Sequence, residues 1–204
     1  RPALVALSAE ATGGLREELV TVAAIIEMVH LATLVHDDVM DGASVRRRRP
    51  TLATHSGNTV AVLAGDCLFA HALQLAASFP TPDICRAVAS ATRTVCTGEI
   101  LQTQNRGRLE LTRLEYFRMV RMKTAELFAL SCELGAWLSG CSSAERAEFH
   151  GFGIALGTAY QIYDDCVDLL GSEAAAGKSL GTDLAGGKLT LPVIVTLERA
   201  NPAE

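Results

Sequence analysis

Asp37-Asp38-Val39-Met40-Asp41 closes an apolar run that starts near Leu15, and Asp164-Asp165-Cys166-Val167-Asp168 closes another that starts near Ser142. Both runs read as helices. Residues four apart on a helix share a face, so Asp37 and Asp41 point one way, as do Asp164 and Asp168. Like charges at that spacing disfavour a helix by a few tenths of a kcal/mol. Both clusters also sit at a helix carboxyl end, where an exposed anion is misplaced by roughly 0.3–1 kcal/mol. One such end reads equally well as a solvated acidic terminus. Two matched ends ask for a shared compensating cation.

Ligand type narrows that cation. Carboxylates without adjoining Cys-His spacing suit a hard, oxygen-seeking ion, magnesium or calcium. Neither cluster has the loop alternation and central glycine of a calcium EF-hand. Magnesium takes one or two carboxylates and fills its remaining positions with water and phosphate oxygens. Asp37, Asp38, Asp41, Asp164, Asp165 and Asp168 are therefore the candidate catalytic and metal-binding acids.

The 204 residues suffice for one domain, read as 1–204. The sequence is 49% hydrophobic but only 5% aromatic, which favours helices over strands. A net charge of -5 argues against nucleic-acid binding. The six cysteines form no Cys-x-x-Cys pair, which fits free thiols and a cytoplasmic setting better than a zinc site or disulfide framework. No transmembrane span is expected, because Glu27 and His30 interrupt the most apolar run, Leu19 to Val35. The chain begins at Arg1-Pro2 without a methionine and stops two residues after Pro202, which reads as a domain incomplete at both ends.

Pro2 to Glu10 reads as the end of a helix, and Leu15 to about Gly42 as a helix buried on nearly every side. Asn58 to Phe79 reads as another buried helix. Thr81 is the expected cap of a helix with Pro82 at its first position, running to about Gly107. Thr112 with Glu115, and Ser142 with Glu145, form capping boxes. The helix after Thr112 runs to about Gly140, in two pieces around Arg121-Met122-Lys123. A small-residue loop spans 171 to 187, and a last helix starts near Thr190-Leu191-Pro192. No segment alternates with period two, so the fold class is all-α.

Basic and polar residues flank the acids. His30 is two turns before Asp37, and Gln161 one turn before Asp164. Arg46-Arg47-Arg48-Arg49 follows the first cluster before a turn at Pro50. Lys123-Thr124 interrupts an apolar stretch, and Lys178 and Lys188 occupy the small-residue loop. Singly, each has a plain structural reading: a solvated turn, a core histidine, a snorkelling lysine, loop charges. Gly171 to Ser179 superficially resembles a phosphate-binding P-loop, but five residues separate its glycines where that motif has four, and it follows a helix instead of a strand.

Together these residues resemble the trans-polyprenyl diphosphate synthases. His36-Asp37-Asp38-Val39-Met40-Asp41 with Arg46-Arg47 matches the family's first aspartate-rich motif, and Gln161-Ile162-Tyr163-Asp164-Asp165-Cys166-Val167-Asp168 the second. Lys123-Thr124, Gly177-Lys178 and Gly187-Lys188-Leu189-Thr190-Leu191-Pro192 match further motifs in the expected order. The resemblance covers essentially the whole chain. It implies a helical bundle around a central cavity, usually a homodimer, and the head-to-tail condensation of isopentenyl diphosphate with an allylic diphosphate. It further implies two or three Mg2+ ions, with Mn2+ as an alternative, held by Asp37, Asp41 and Asp164. Arg46, Lys123, Thr124, Gln161, Lys178 and Lys188 would contact the allylic diphosphate, with Lys123 also counted among the catalytic residues. Arg1, His30 and Arg47 would bind isopentenyl diphosphate. Three departures stand out: a family lysine would precede Arg1, the glycine usual after the paired arginines is Arg48, and the family's C-terminal part is absent.

The apolar helix behind the first cluster bears on product size. Ala32 and Thr33, expected to face the same way as Asp37, are small, and Val29 in the next layer is not aromatic. A product of C20 or longer, able to partition into membranes, is therefore expected. A class I terpene cyclase shares the first motif, but its second site usually has an Asn/Asp-Ser/Thr-Glu pattern instead of a second Asp-Asp-x-x-Asp. A non-catalytic subunit of a heteromeric prenyltransferase should have lost acidic motifs that this chain keeps.

Overall fold

The computed structural model describes residues 1–171 and 180–200, so Lys178 and Gly177 lie outside the described residues. The elements are Pro2–Glu10 (α1), Glu18–Met40 (α2), Leu52–Ser56 (α3), Asn58–Ala77 (α4), Asp83–Gln104 (α5), Arg113–Val120 (α6), a π-helical turn Arg121–Ala125, Glu126–Leu138 (α7) and Ser143–Leu170 (α8). Short helices Thr182–Ala185 and Leu191–Arg199 follow. Strand is confined, among the described residues, to Val45–Arg46 paired antiparallel with Arg49–Pro50. The all-α expectation therefore holds, and the arginine run is a two-residue hairpin. Its turn residues Arg47 and Arg48 adopt φ of 50° and 63°. Left-handed backbone at both central positions suits the twist of a tight hairpin, and glycine adopts it most easily. Arg48 thus strains a turn that a glycine would relax.

Local chemistry sets the helix starts. Thr112 accepts from the Glu115 backbone N–H while the Glu115 carboxylate accepts from the Thr112 N–H, and Ser142 and Glu145 repeat the exchange at the start of α8. These reciprocal caps satisfy donors that a helix start otherwise leaves open. The expected cap at Thr81 is not used. Pro82 takes the cap position without a side-chain bond, and α5 begins at Asp83.

The core lies where α2 meets α1, α4, α5 and α7, around Val5, Val22, Ile25, Ile26, Val88 and Leu134. Glycines let α8 lie close on α7 and on the π-helical turn before it. A Cβ on Gly153 would fall 2.4 Å from Cα of Ala129, and one on Gly157 2.6 Å from Cα of Ala125. A second cluster, with Leu111, Tyr116, Val120, Leu189 and Ile194, ties the C-terminal segment to α6 and so positions Lys188.

Two burial expectations need correction. α2 exposes Val20 and Leu31, and α4 buries only Ala61, Gly65, Ala72 and Ala76 while leaving Val60, Leu63 and Leu73 exposed. α4 is thus an apolar helix with an uncovered face. By length and apolarity alone both helices could cross a membrane, with mean hydropathies of 1.8 and 1.6. The middle of α2 instead fills the core through Ile25, Ile26 and Val29.

Candidate active site between two aspartate clusters

The carboxyl ends of α2 and α8 open onto one cavity of about 1030 Å³, lined by Asp37 and Asp41 from the first and by Asp164, Asp165 and Asp168 from the second. The π-helical turn that carries Lys123 and Thr124 also lines it. Such turns widen a helix locally and recur at functional sites. Gly98 of α5 permits this one to approach, since a Cβ there would sit 2.6 Å from the Lys123 N.

The first cluster is matched to cations. Asp41 accepts from Lys188 Nζ at 2.7 Å and from Arg106 Nη2 at 2.6 Å. Burial would raise the Asp41 pKa, but these two donors hold it below the usual carboxylate range. Asp37 is paired more loosely, with Lys123 Nζ at 3.8 Å. Burial outweighs that attraction and pushes the Asp37 carboxyl up to about 6. Asp38 does not face the cavity. It is 5% exposed, accepts from Arg46 Nε at 2.7 Å and borders a small pocket against α3. The side chain expected among the reacting acids therefore anchors the arginine hairpin, and Arg46 reaches the cavity wall already paired with it.

Lys123 is ion-paired to Glu99 and donates to Gln102 Oε1 at 2.8 Å. Burial disfavours its charge, yet Asp37 and Glu99 overcompensate and raise its pKa. Arg1, His30 and Arg47 line the cavity together, with Arg1 Nη1 2.8 Å from His30 Nε2 and the Arg1 guanidinium 4.7 Å over the Phe128 ring. Burial, then the Arg1 charge, lower the His30 pKa to about 3, so its imidazole is neutral.

Among the described residues, Asp165 and Asp168 of the second cluster take hydrogen bonds from neutral donors. Thr124 Oγ1 donates to Gln161 Oε1 at 2.8 Å, and Gln161 Nε2 donates to Asp165 Oδ1 at 2.7 Å. Tyr116 Oη donates to the other Asp165 oxygen at 2.5 Å. Burial raises the Asp165 pKa despite these bonds, while burial and the Asp165 carboxylate together keep Tyr116 protonated. Asp168 accepts from Thr182 Oγ1 at 3.3 Å and from the Asp183 backbone N–H at 3.2 Å.

Thr33 reaches the cavity wall, but Ala32 and Val29 do not. Both are fully buried, and Val29 belongs to the core. The reason is angular. At roughly 100° per residue, a position four before Asp37 lies about 40° away and one five before lies about 140° away. Glu99, Gln102, Arg106 and Tyr116 were not anticipated as site residues. The available signal is spacing: Glu99 and Gln102 recur at a helical interval on α5, Arg106 follows just past its end, and Tyr116 lies two turns before Lys123.

Donor chemistry permits a hard divalent ion, since the acids offer oxygen alone. Among the described residues, no three His, Cys, Asp or Glu side chains converge closely enough to hold an ion by themselves. This fits an ion that uses one or two carboxylates and completes its shell from water and a phosphate ligand.

A helical bundle with two aspartate clusters across one cation-rimmed cavity defines the all-α isoprenoid-synthase-like class. The chain belongs to the polyprenyl synthetase family, which matches residues 1–204. It is similar to a short chain isoprenyl diphosphate synthase of Methanothermobacter thermautotrophicus, 38% identical across 98% of this chain and 63% of that protein. Heptaprenyl diphosphate synthase component 2 of Geobacillus stearothermophilus is 39% identical, across 97% of this chain and 62% of that one. The crystal structure of a polyprenyl synthase from Caulobacter crescentus, complexed with calcium and isoprenyl diphosphate, superposes with a TM-score of 0.95 at 35% identity, covering 100% of this chain and 62% of that one. The chain thus spans less than two thirds of the length of these relatives.

Proposed function

We propose that this chain forms the catalytic part of a prenyl diphosphate synthase. It joins isopentenyl diphosphate head to tail to an allylic diphosphate and yields an all-trans product of C20 or longer. The observation that carries this reading is the pair of aspartate clusters facing one cavity, with Lys123 and Thr124 between them. Relatives named for this activity, and a bound isoprenyl diphosphate in one similar structure, support it.

Asp37, Asp41 and Asp164 would hold divalent ions, Mg2+ or alternatively Mn2+. When bound, the ions supply Lewis-acid stabilisation of charge on the departing diphosphate oxygens. The chain's own groups do the rest. Lys123, Lys188 and Arg106 add fixed positive charge in a partly dehydrated cavity, where such groups act strongly. Arg1, Arg47 and neutral His30 form a second donor group for the isopentenyl diphosphate. Its double bond attacks the allylic carbon as the carbon–oxygen bond breaks, and the released diphosphate can accept the proton lost. No nucleophilic side chain is needed.

The uncovered apolar face of α4 supports a homodimer, and the cytoplasmic reading rests on the free cysteines. The relative named as a component favours one other assembly, a heteromeric enzyme with this chain as a subunit. Incubating the purified protein with labelled isopentenyl diphosphate, an allylic primer and Mg2+, with chromatography of the products, tests the proposal. Chain elongation by the protein alone is expected. Turnover of the primer without isopentenyl diphosphate would instead indicate a cyclase, and activity only with a second polypeptide a heteromer. Thr33→Phe, placed on the wall one turn below Asp37, should shorten the product by at least one five-carbon unit.

A further inference from the structure

Among the described residues, Lys123 stands near Asp37 without pairing closely with it. Its ammonium is ion-paired to Glu99 and hydrogen-bonded to Gln102, and both partners lie on the α5 face that packs against the π-helical turn. Asp37 lies 3.8 Å from the same ammonium. Asp41, by contrast, is in direct contact with Lys188 and Arg106. The Glu99 side chain is 13% exposed and that of Lys123 20%, so the pair is screened little by solvent. Gly98, next to Glu99, is the residue that admits the turn, so contact and charge come from the same stretch of helix.

We infer that Glu99, assisted by Gln102, is a positioning residue that holds the Lys123 ammonium away from Asp37 and so leaves the Asp37 carboxylate open to a divalent ion. This rests on the proposed function, in which Asp37 is a metal ligand. Without Glu99, the most favourable counter-ion left within reach of Lys123 is Asp37. A direct pair there would compete with the ion for the same oxygens. Glu99 would then serve the reaction without touching the diphosphate. Its chemistry also explains the glutamine one turn on, since a neutral acceptor fixes the ammonium without adding a second competing charge.

The test is direct Mn2+ binding, by electron paramagnetic resonance of free Mn2+ or by calorimetry, on folded protein verified by circular dichroism. Glu99→Gln should weaken Mn2+ binding about tenfold, and Gln102→Leu about threefold, within the range for coupled neighbouring groups. Loss of a nearby negative charge would also weaken binding, so the decisive measurement is the cycle with Lys123→Met. If Glu99 holds the lysine off, removing the lysine should recover far more affinity in the Glu99→Gln background than in the wild type. Equal gains in both backgrounds would overturn the inference, as would wild-type Mn2+ affinity in Glu99→Gln. Steady-state kinetics add a second readout: the Mn2+ concentration for half-maximal rate should rise in Glu99→Gln, and the rate should return toward normal on raising the metal. A wild-type protein that neither binds Mn2+ nor elongates would remove the functional reading itself, and this inference with it. An active wild type with an unaffected Glu99→Gln removes the inference alone.

Discussion

The two aspartate clusters have nearly the same sequence, but among the described residues the partners of Asp165 and Asp168 differ in kind from those of the first cluster. At the end of α2, Asp38 and Asp41 are bonded to arginine and lysine, and Asp37 stands near a lysine. At the end of α8, Asp165 and Asp168 are held by a phenol, an amide, a hydroxyl and a backbone N–H. Ion pairs cancel charge, whereas neutral donors orient a carboxylate and leave its charge in place. A repeated motif therefore does not imply repeated roles.

The largest expected effect comes from breaking the cationic side. Asp41→Ala leaves Lys188 and Arg106 without their shared acceptor and removes a proposed metal ligand. Condensation measured with labelled isopentenyl diphosphate should fall by roughly 10²–10³-fold. Asp38→Ala tests the same side where it is structural. It strands Arg46, and urea denaturation should show a loss of about 2 kcal/mol, since a buried partner of a charge is removed. The neutral side should be gentler. Tyr116→Phe removes one hydrogen bond to Asp165 and should cost about 1 kcal/mol by the same measurement.

A pH readout also separates the clusters. Unfolded, His30 takes up a proton near 6.5, but in the folded protein burial and Arg1 delay this to about 3. Between those values the unfolded chain binds more protons, so stability falls as pH drops from 6.5 toward 3. His30→Gln, beside the first cluster, should flatten that part of the thermal stability profile. The second cluster has no histidine among its described hydrogen-bond partners, and Tyr116→Phe, which removes a bond that lowers the Asp165 pKa, should change the profile in the opposite sense, deepening the loss of stability as pH rises.

Much of this was legible in the sequence where the cause is local. Both capping boxes, the break at Arg121-Met122-Lys123 and the helix after Thr190 depend on a few adjacent residues, and all appear. So do the meeting of the two clusters on one cavity and the placement of His30, Lys123, Gln161 and Lys188 around it. What escaped depends on neighbours distant in sequence. Apolar composition cannot tell whether a helix's outer face is covered by its own chain, so α4 reads as buried although Val60, Leu63 and Leu73 are exposed. Arg106 and Tyr116 look ordinary alone and acquire meaning only opposite Asp41 and Asp165. Asp38 differs from Asp37 only through Arg46, distant enough in sequence that spacing alone does not reveal the pairing, and Ala32 turns away from the cavity because a fifth-residue step overshoots a helical turn.

The seam of Gly153 and Gly157 along α8 continues, one turn on, into Gln161 and the acids. An added methyl group on that seam would act as a wedge, tilting the far end of a rod about 42 Å long and spreading the gap that a diphosphate has to bridge. The bore of the cavity can therefore drift in evolution along α2, where side chains can be exchanged singly, while its span is fixed by backbone lying on backbone.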